Sequence, residues 1–117
     1  MEQVPIVKIG QTLFVSIQVE LQDDSVLQLQ EDLADELAAT GARGVIIDLT
    51  AVEIVDSFIG RSLTMIGSIS RLFGAETVIV GMRPAVAITL TELGLSLKGV
   101  RTALNADKGL EILNGIR

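Results

Sequence analysis

The sequence predicts an α/β fold: a mixed, mostly parallel five-stranded sheet with about four helices. Three observations lead there. Short β-branched runs alternate with longer segments of helical periodicity, the pattern of strand–helix–strand crossovers. One such run, Gly44-Val45-Ile46-Ile47-Asp48-Leu49, is continuous in its apolar residues, as a strand covered on both faces requires. The first two runs are separated only by Gly10-Gln11, too short for a helix and suited to a hairpin.

Taken in order, Ile6 to Ile9 and Leu13 to Val19 read as an antiparallel pair. Asp23-Asp24-Ser25, with Gln28 three residues beyond Ser25, form an N-cap cluster with capping-box spacing ahead of Val26, Leu29, Leu33 and Leu37. That amphipathic helix is expected to stop near Thr40-Gly41, with Glu31, Asp32, Asp35 and Glu36 as a solvated acidic outer face. Gly44 to Leu49 belongs at the sheet centre. Ser57 to Phe73 reads as a helix closed by Gly74, and Thr77 to Gly81 repeats the buried-strand character. Pro84 to Leu93 has Pro in its first turn and Gly94 just past its end. Val100 to Thr102 is a weaker last strand, and Asn105 can cap a final helix running toward Ile116. No repeat, Pro-rich linker or low-complexity tract interrupts this order, so residues 1–117 are expected to form one domain. A chain of that size buries roughly two-thirds of the surface its unfolded form exposes.

Composition then removes several classes of function. Lys+Arg 9 against Asp+Glu 15 gives a net charge of −6, so no basic face is available to hold nucleic acid. The N-terminus lacks a basic segment followed by an apolar one, and no apolar run approaches the ~20 residues that span a bilayer. A cytoplasmic protein without a membrane partner is expected. The absence of Cys and His removes disulfides, thiolate nucleophiles, the commonest general base and the usual zinc ligands. No metal or cofactor is expected, and binding is favoured over catalysis. A carboxylate-based hydrolase would need a convergent pair of acids, which no single loop supplies.

The segment with the most to say is Val55-Asp56-Ser57-Phe58-Ile59-Gly60-Arg61. On a helical wheel, Phe58, Ile59, Leu63, Met65, Ile66, Ile69, Leu72 and Phe73 fill about half the circumference of the following helix. A helix on one sheet needs a stripe somewhat over ~100° wide, so the margin formed by Phe58, Met65 and Leu72 should stay partly exposed. The opposite arc holds Ser57, Gly60, Arg61, Thr64, Gly67, Ser68 and Arg71, mostly small residues that would let another surface approach. This arc reads as a docking face. Ser57 itself is either the N-cap or in the first turn. As a cap, its hydroxyl accepts from a free backbone N–H, a contribution of ~1 kcal/mol. As a phosphoacceptor, it would gain about −1.5 to −2 charges at a helix end whose free N–H groups and dipole favour an anion.

The predicted topology and the Asp56-Ser57 pair resemble the STAS domain of bacterial anti-sigma-factor antagonists over nearly the whole chain. Those antagonists carry an Asp-Ser-Ser/Thr-Gly-Leu-Gly loop after the third strand, where this chain has Asp56-Ser57-Phe58-Ile59-Gly60-Arg61. Phe58 and Ile59 depart from the usual small residue and Gly, and in this the chain is more similar to RsbS-type scaffold subunits of the stressosome. The resemblance implies phosphorylation of Ser57 by a GHKL-type serine switch kinase, which the domain sequesters until phosphorylated. It also implies co-assembly with larger sensor STAS paralogues, self-association into a large assembly and resetting by a phosphatase. Asp56, Phe58, Ile59, Gly60, Arg61, Thr64 and Met65 are then the expected partner-binding residues. The runner-up within the family is a free anti-anti-sigma factor that binds an anti-sigma kinase.

Remaining candidates are weaker. Asp48 closes a strand as a receiver-domain phosphoacceptor does, but Phe14-Val15-Ser16-Ile17-Gln18 offers no acidic pair for Mg²⁺, so it is read as a strand-end residue bonding loop amides. Gly81-Met82-Arg83-Pro84 is read as a turn with Pro at the first helical position. With the Ser57 loop it could instead make a shallow anion or nucleotide pocket, the basis of a small-ligand sensor. Thr89 and Thr91 are candidate secondary phosphosites, with ordinary helix-surface Thr as the default.

Overall fold

A computed structural model of the chain describes residues 4–18, 23–95 and 97–116. The elements run β1 (Ile6–Ile9), β2 (Thr12–Ser16), α1 (Asp23–Thr40), β3 (Gly44–Asp48), α2 (Ser57–Leu72), β4 (Glu76–Val80), α3 (Pro84–Glu92), β5 (Arg101–Ala103) and α4 (Ala106–Ile116). The five strands form one sheet in sequential order, with β1 antiparallel to β2 and every later pairing parallel. Gly10-Gln11 is the two-residue hairpin connection: Ile9 stands opposite Thr12, and Gly10 at φ 59° supplies the left-handed residue that a type II′ turn needs first.

Alternation sets the two faces of the sheet. Leu13, Val15, Val45, Ile47 and Ile79 point to one side and pack with Val26, Leu29, Leu33 and Leu37 of α1, Ile59, Leu63 and Ile66 of α2 and Val86 and Leu90 of α3. Ile46, Val78 and Val80 point to the other, where Leu113 of α4 covers them and Phe14 and Leu110 lie at the margin. β3 and β4 are buried on both faces, which explains their continuous apolar runs.

Several boundaries shift. β2 ends at Ser16, leaving Ile17 and Gln18 outside the strand, while Val19 lies outside the described residues. β5 is Arg101–Ala103, one residue later than expected, and α2 and α3 each end one residue early. The expected capping box of α1 is corrected: the helix already runs from Asp23, so Asp23, Asp24 and Ser25 form its first turn, and Gln28 donates to Asp32 Oδ1 at 2.9 Å. Two carboxylates in a first turn suit the positive end of the dipole, so the cluster sits inside the helix. Gly41 at φ 66° ends α1, and Asn105 caps α4, its side chain accepting from Lys108 N at 2.9 Å.

Candidate functional site

The loop between β3 and α2 is built on the end of a buried strand. Asp48 Oδ1 accepts from Thr50 N at 2.9 Å and from Thr50 Oγ1 at 2.6 Å, the loop-bonding role expected of a strand-end acid. Leu49 N donates to Val80 O at 3.0 Å and Arg83 Nε donates to Thr50 O at 2.9 Å, tying this loop to the turn after β4. Gly81, at φ 70°, lies so close that a Cβ there would meet Thr50 Oγ1 at 2.1 Å. Val52 and Val55 anchor the loop in the core, while Ile54 between them is 69% exposed.

Asp56 is the N-cap of α2. Its backbone is extended (φ −121°, ψ −178°), and its carboxylate accepts from Ile59 N at 2.9 Å. This corrects the capping role considered for Ser57, which is instead the first helical residue. Asp and Ser are comparable caps, and the chain turns helical one residue after Asp56, so the aspartate is the one in capping geometry. Ser57 is half-buried, and its hydroxyl has no hydrogen-bond partner among the described residues. Helix geometry leaves the amides of Ser57 and Phe58 without a partner in the helix, and they have none elsewhere among the described residues. A free hydroxyl beside free N–H groups at a positive helix end can accept a phosphoryl group without losing any contact of its own.

The expected partner-binding residues divide into two groups. Phe58 is half-buried, Met65 is 52% exposed and Leu72 85% exposed, so the apolar margin is present as the wheel suggested. Arg61 is exposed, and Thr64 is half-buried with its hydroxyl bonded to Gly60 O at 3.3 Å. Ile59, expected to bind a partner, and Gly60, expected on the docking face as well, are both buried within the single chain, a correction to that expectation. Ile59 lies at the centre of the apolar arc and packs into the core, which the wheel itself signalled. Gly60 is covered by its own chain: a Cβ there would lie 2.4 Å from Leu95 Cδ1 and 2.9 Å from Leu90 Cδ2. Gly67 is covered likewise: a Cβ there would lie 2.5 Å from Val100 Cγ2. The small residues of α2 therefore serve close packing of the α3–β5 connection, and the free surface is Ser57, Arg61, Thr64 and the Phe58–Met65 flank.

Two of the recesses on the described surface bear on these residues and on the strand-end expectation. One of about 230 Å³ is bordered by Arg61, Thr64, Leu95, Leu97 and Lys98, which places two cations beside the polar side of α2. The other, about 430 Å³, opens at the ends of β2 and β3 between Ser16, Gln18, Asp48, Thr50 and Arg83; it shares Arg83 with the strand-end pocket expected from sequence but not Ser57. The Gly81–Pro84 stretch behaves as a turn with Pro at the first position of α3. Thr89 and Thr91 bond back to the carbonyls of Ala85 and Ala87, as helix-surface threonines do. No group of three or more acidic residues among those described is placed to hold a metal, and no described helix is long and apolar enough to cross a membrane.

A sequential five-stranded sheet with one antiparallel edge, with a serine at the start of the helix after the central strand, defines a small α/β domain. Residues 3–107 match the model of the STAS domain, and the chain belongs to that family. The chain is similar to a structure of RsbS from Moorella thermoacetica carrying a serine-to-glutamate substitution (TM-score 0.84, 42% identity, covering 97% of this chain and 96% of that one). It is also similar to a chain from the molecular architecture of the stressosome, a signal integration and transduction hub (TM-score 0.81, 44% identity, 96% and 97% covered). The RsbT co-antagonist protein RsbRA of Bacillus subtilis (strain 168) is 30% identical over 84 residues, 72% of this chain. The match spans 31% of that relative's length.

Proposed function

We propose that this chain is a non-enzymatic scaffold and regulatory subunit of a stressosome-type complex, acting in the cytoplasm, and that it sequesters a serine switch kinase until Ser57 is phosphorylated. The observation that carries the reading is the Ser57 hydroxyl. It belongs to a half-buried residue, makes no hydrogen bond among the described residues, and lies at a helix N-terminus whose cap is supplied by Asp56. Similarity to RsbS and to a stressosome chain at over 40% identity across nearly the whole length supports the choice within the family.

The mechanism follows from what a phosphate does at that position. Within the domain, the free amides of Ser57 and Phe58 and the helix dipole favour it by ~0.3–2 kcal/mol, offsetting repulsion from Asp56. Arg61, four residues on, shares the helix face of Ser57 and can pair with the phosphate. A partner packed on Phe58, Met65 and Thr64 would instead have to desolvate a dianion, at a cost of several kcal/mol unless it supplied Arg or Lys. Since each 1.4 kcal/mol is about tenfold in affinity, one phosphate can release a kinase without altering the fold. Sensor STAS paralogues are the expected co-assembly partners, and a phosphatase the means of resetting.

Intact-mass analysis and peptide mapping after incubation with the switch kinase and ATP test the reading. One phosphate on Ser57 is expected, with Ser57→Ala retaining kinase binding but blocking release and Ser57→Asp weakening binding. A phosphate mapped elsewhere, or release from Ser57→Ala, would overturn it.

A further inference from the structure

Among the described residues no strand pairs with the outer edge of β1, and the direction of its backbone groups follows from its neighbours. Ile17 N donates to Asp48 O and Gln11 O accepts from Arg43 N, so odd-numbered residues along β2 direct their backbone groups toward β3. The even-numbered Thr12 and Phe14 therefore face β1 and pair with Ile9 and Val7, as a two-residue hairpin requires. Ile6 and Lys8 are left with their N–H and C=O directed outward. Pro5, which has no N–H to give, falls just before the strand.

Charge and apolarity on this edge are arranged in a complementary way. Ile6 and Lys8 lie on the sheet face that carries α1, while Val7 and Ile9, 53% and 60% exposed, lie on the other face beside half-buried Phe14. Lys8 is exposed and has no ion-pair partner among the described residues. Next to Ile6, a groove of about 440 Å³ is bordered by Asp32, Asp35 and Glu36 of α1. An edge lysine commonly guards against strand pairing. Here the flank it would meet across a two-fold axis is acidic.

We propose that β1 pairs antiparallel with β1 of a second copy about a two-fold axis centred on Val7, giving a continuous ten-stranded sheet. Only registers that keep side chains on matching faces are allowed, and the one centred on Val7 sets Ile6 of each copy against Lys8 of the other. Those two rungs use the four outward N–H and four outward C=O groups of both copies, with Lys8 beside the partner's acidic groove. Val7 and Ile9 of both copies then form one apolar strip on the opposite face. This inference rests on the reading of the chain as a subunit of a larger assembly and is independent of Ser57.

Sedimentation velocity of the full chain over a concentration series tests it, using Lys8→Glu, Lys8→Pro and the triple change Lys8→Glu/Asp32→Lys/Asp35→Lys. Concentration-dependent dimers are expected for the natural sequence. Lys8→Glu should weaken association about tenfold or more, as like charges meet across the edge, and the triple change should restore part of it. Lys8→Pro removes the outward N–H without touching the bonds to β2, so it should dissociate the dimer with its circular-dichroism melt retained. A monomer at every concentration overturns the proposal, including one that pairs only with a paralogue. Assembly unchanged by Lys8→Glu and Lys8→Pro overturns this edge while leaving the wider reading of an assembling subunit in place.

Discussion

Replacing Asp56 by alanine separates the two roles that meet at the start of α2. The Asp56 carboxylate accepts from Ile59 N at 2.9 Å, and Ile59 is 6% exposed, so water has poor access to the amide once the carboxylate is gone. Loss of an N-cap of this type costs about 0.5–2 kcal/mol, and the buried amide places this one at about 1–2 kcal/mol. With an unfolding entropy of ~2.1 cal/mol/K per residue, a chain of 117 residues should lose about 4–8 °C in Tm. Asp56→Asn keeps an acceptor in capping geometry and should stay within about 2 °C. Ser57→Ala deletes a hydroxyl that bonds to nothing among the described residues and should change stability by no more than ~0.5 kcal/mol. Calorimetric melts of the three variants decide the matter. If Ser57→Ala costs as much as Asp56→Ala, Ser57 is the cap, its hydroxyl is committed, and the argument for a free phosphoacceptor fails.

Two further substitutions probe the packing that frames the site. Gly60→Ala would gain ~1 kcal/mol of helix propensity on an open surface, but its Cβ must displace Leu90 and Leu95, an overpacking cost of about 1–3 kcal/mol. A net loss of about 0–2 kcal/mol in urea unfolding is expected, and a full ~1 kcal/mol gain would show that nothing of this chain covers that face. Thr77 is 1% exposed and its Oγ1 has no partner among the described residues, so Thr77→Val should stabilise the fold by about 1 kcal/mol through relief of desolvation. A higher denaturant midpoint with unchanged slope is the expected readout, and destabilisation would mean the hydroxyl is bonded after all.

The order and direction of the strands were legible because the signals behind them are local. Gly10-Gln11 declares a hairpin, the Val45–Leu49 and Val78–Val80 runs declare doubly covered strands, and Gly41, Gly74 and Gly94 adopt the positive φ that ends a helix. The margin of Phe58, Met65 and Leu72 was legible too, because a wheel measures how wide an apolar arc is. It cannot say what covers the remainder. Leu90, Leu95 and Val100, some thirty residues beyond Gly60 and Gly67, close over those glycines, and no periodicity within α2 announces them. The choice between Asp56 and Ser57 as cap was hidden for another reason: both residues cap well, and only the backbone dihedral at Asp56 tells which one leaves the helix.

The division of labour at this helix end follows from that choice. A serine that capped α2 would have to give up its amide contact to receive a phosphate, and the ~1 kcal/mol of the cap would oppose modification. With Asp56 holding Ile59 N, the neighbouring hydroxyl makes no bond among the described residues and the cap does not depend on it. The β1 edge lies at the far side of the sheet from β4 and β5, on the other flank from the α3–β5 connection that covers the polar side of α2. On the proposed reading, a charge placed on Ser57 would act on a partner at α2 without entering the strand pairing proposed for β1. A subunit that must stay assembled while releasing a partner needs that separation.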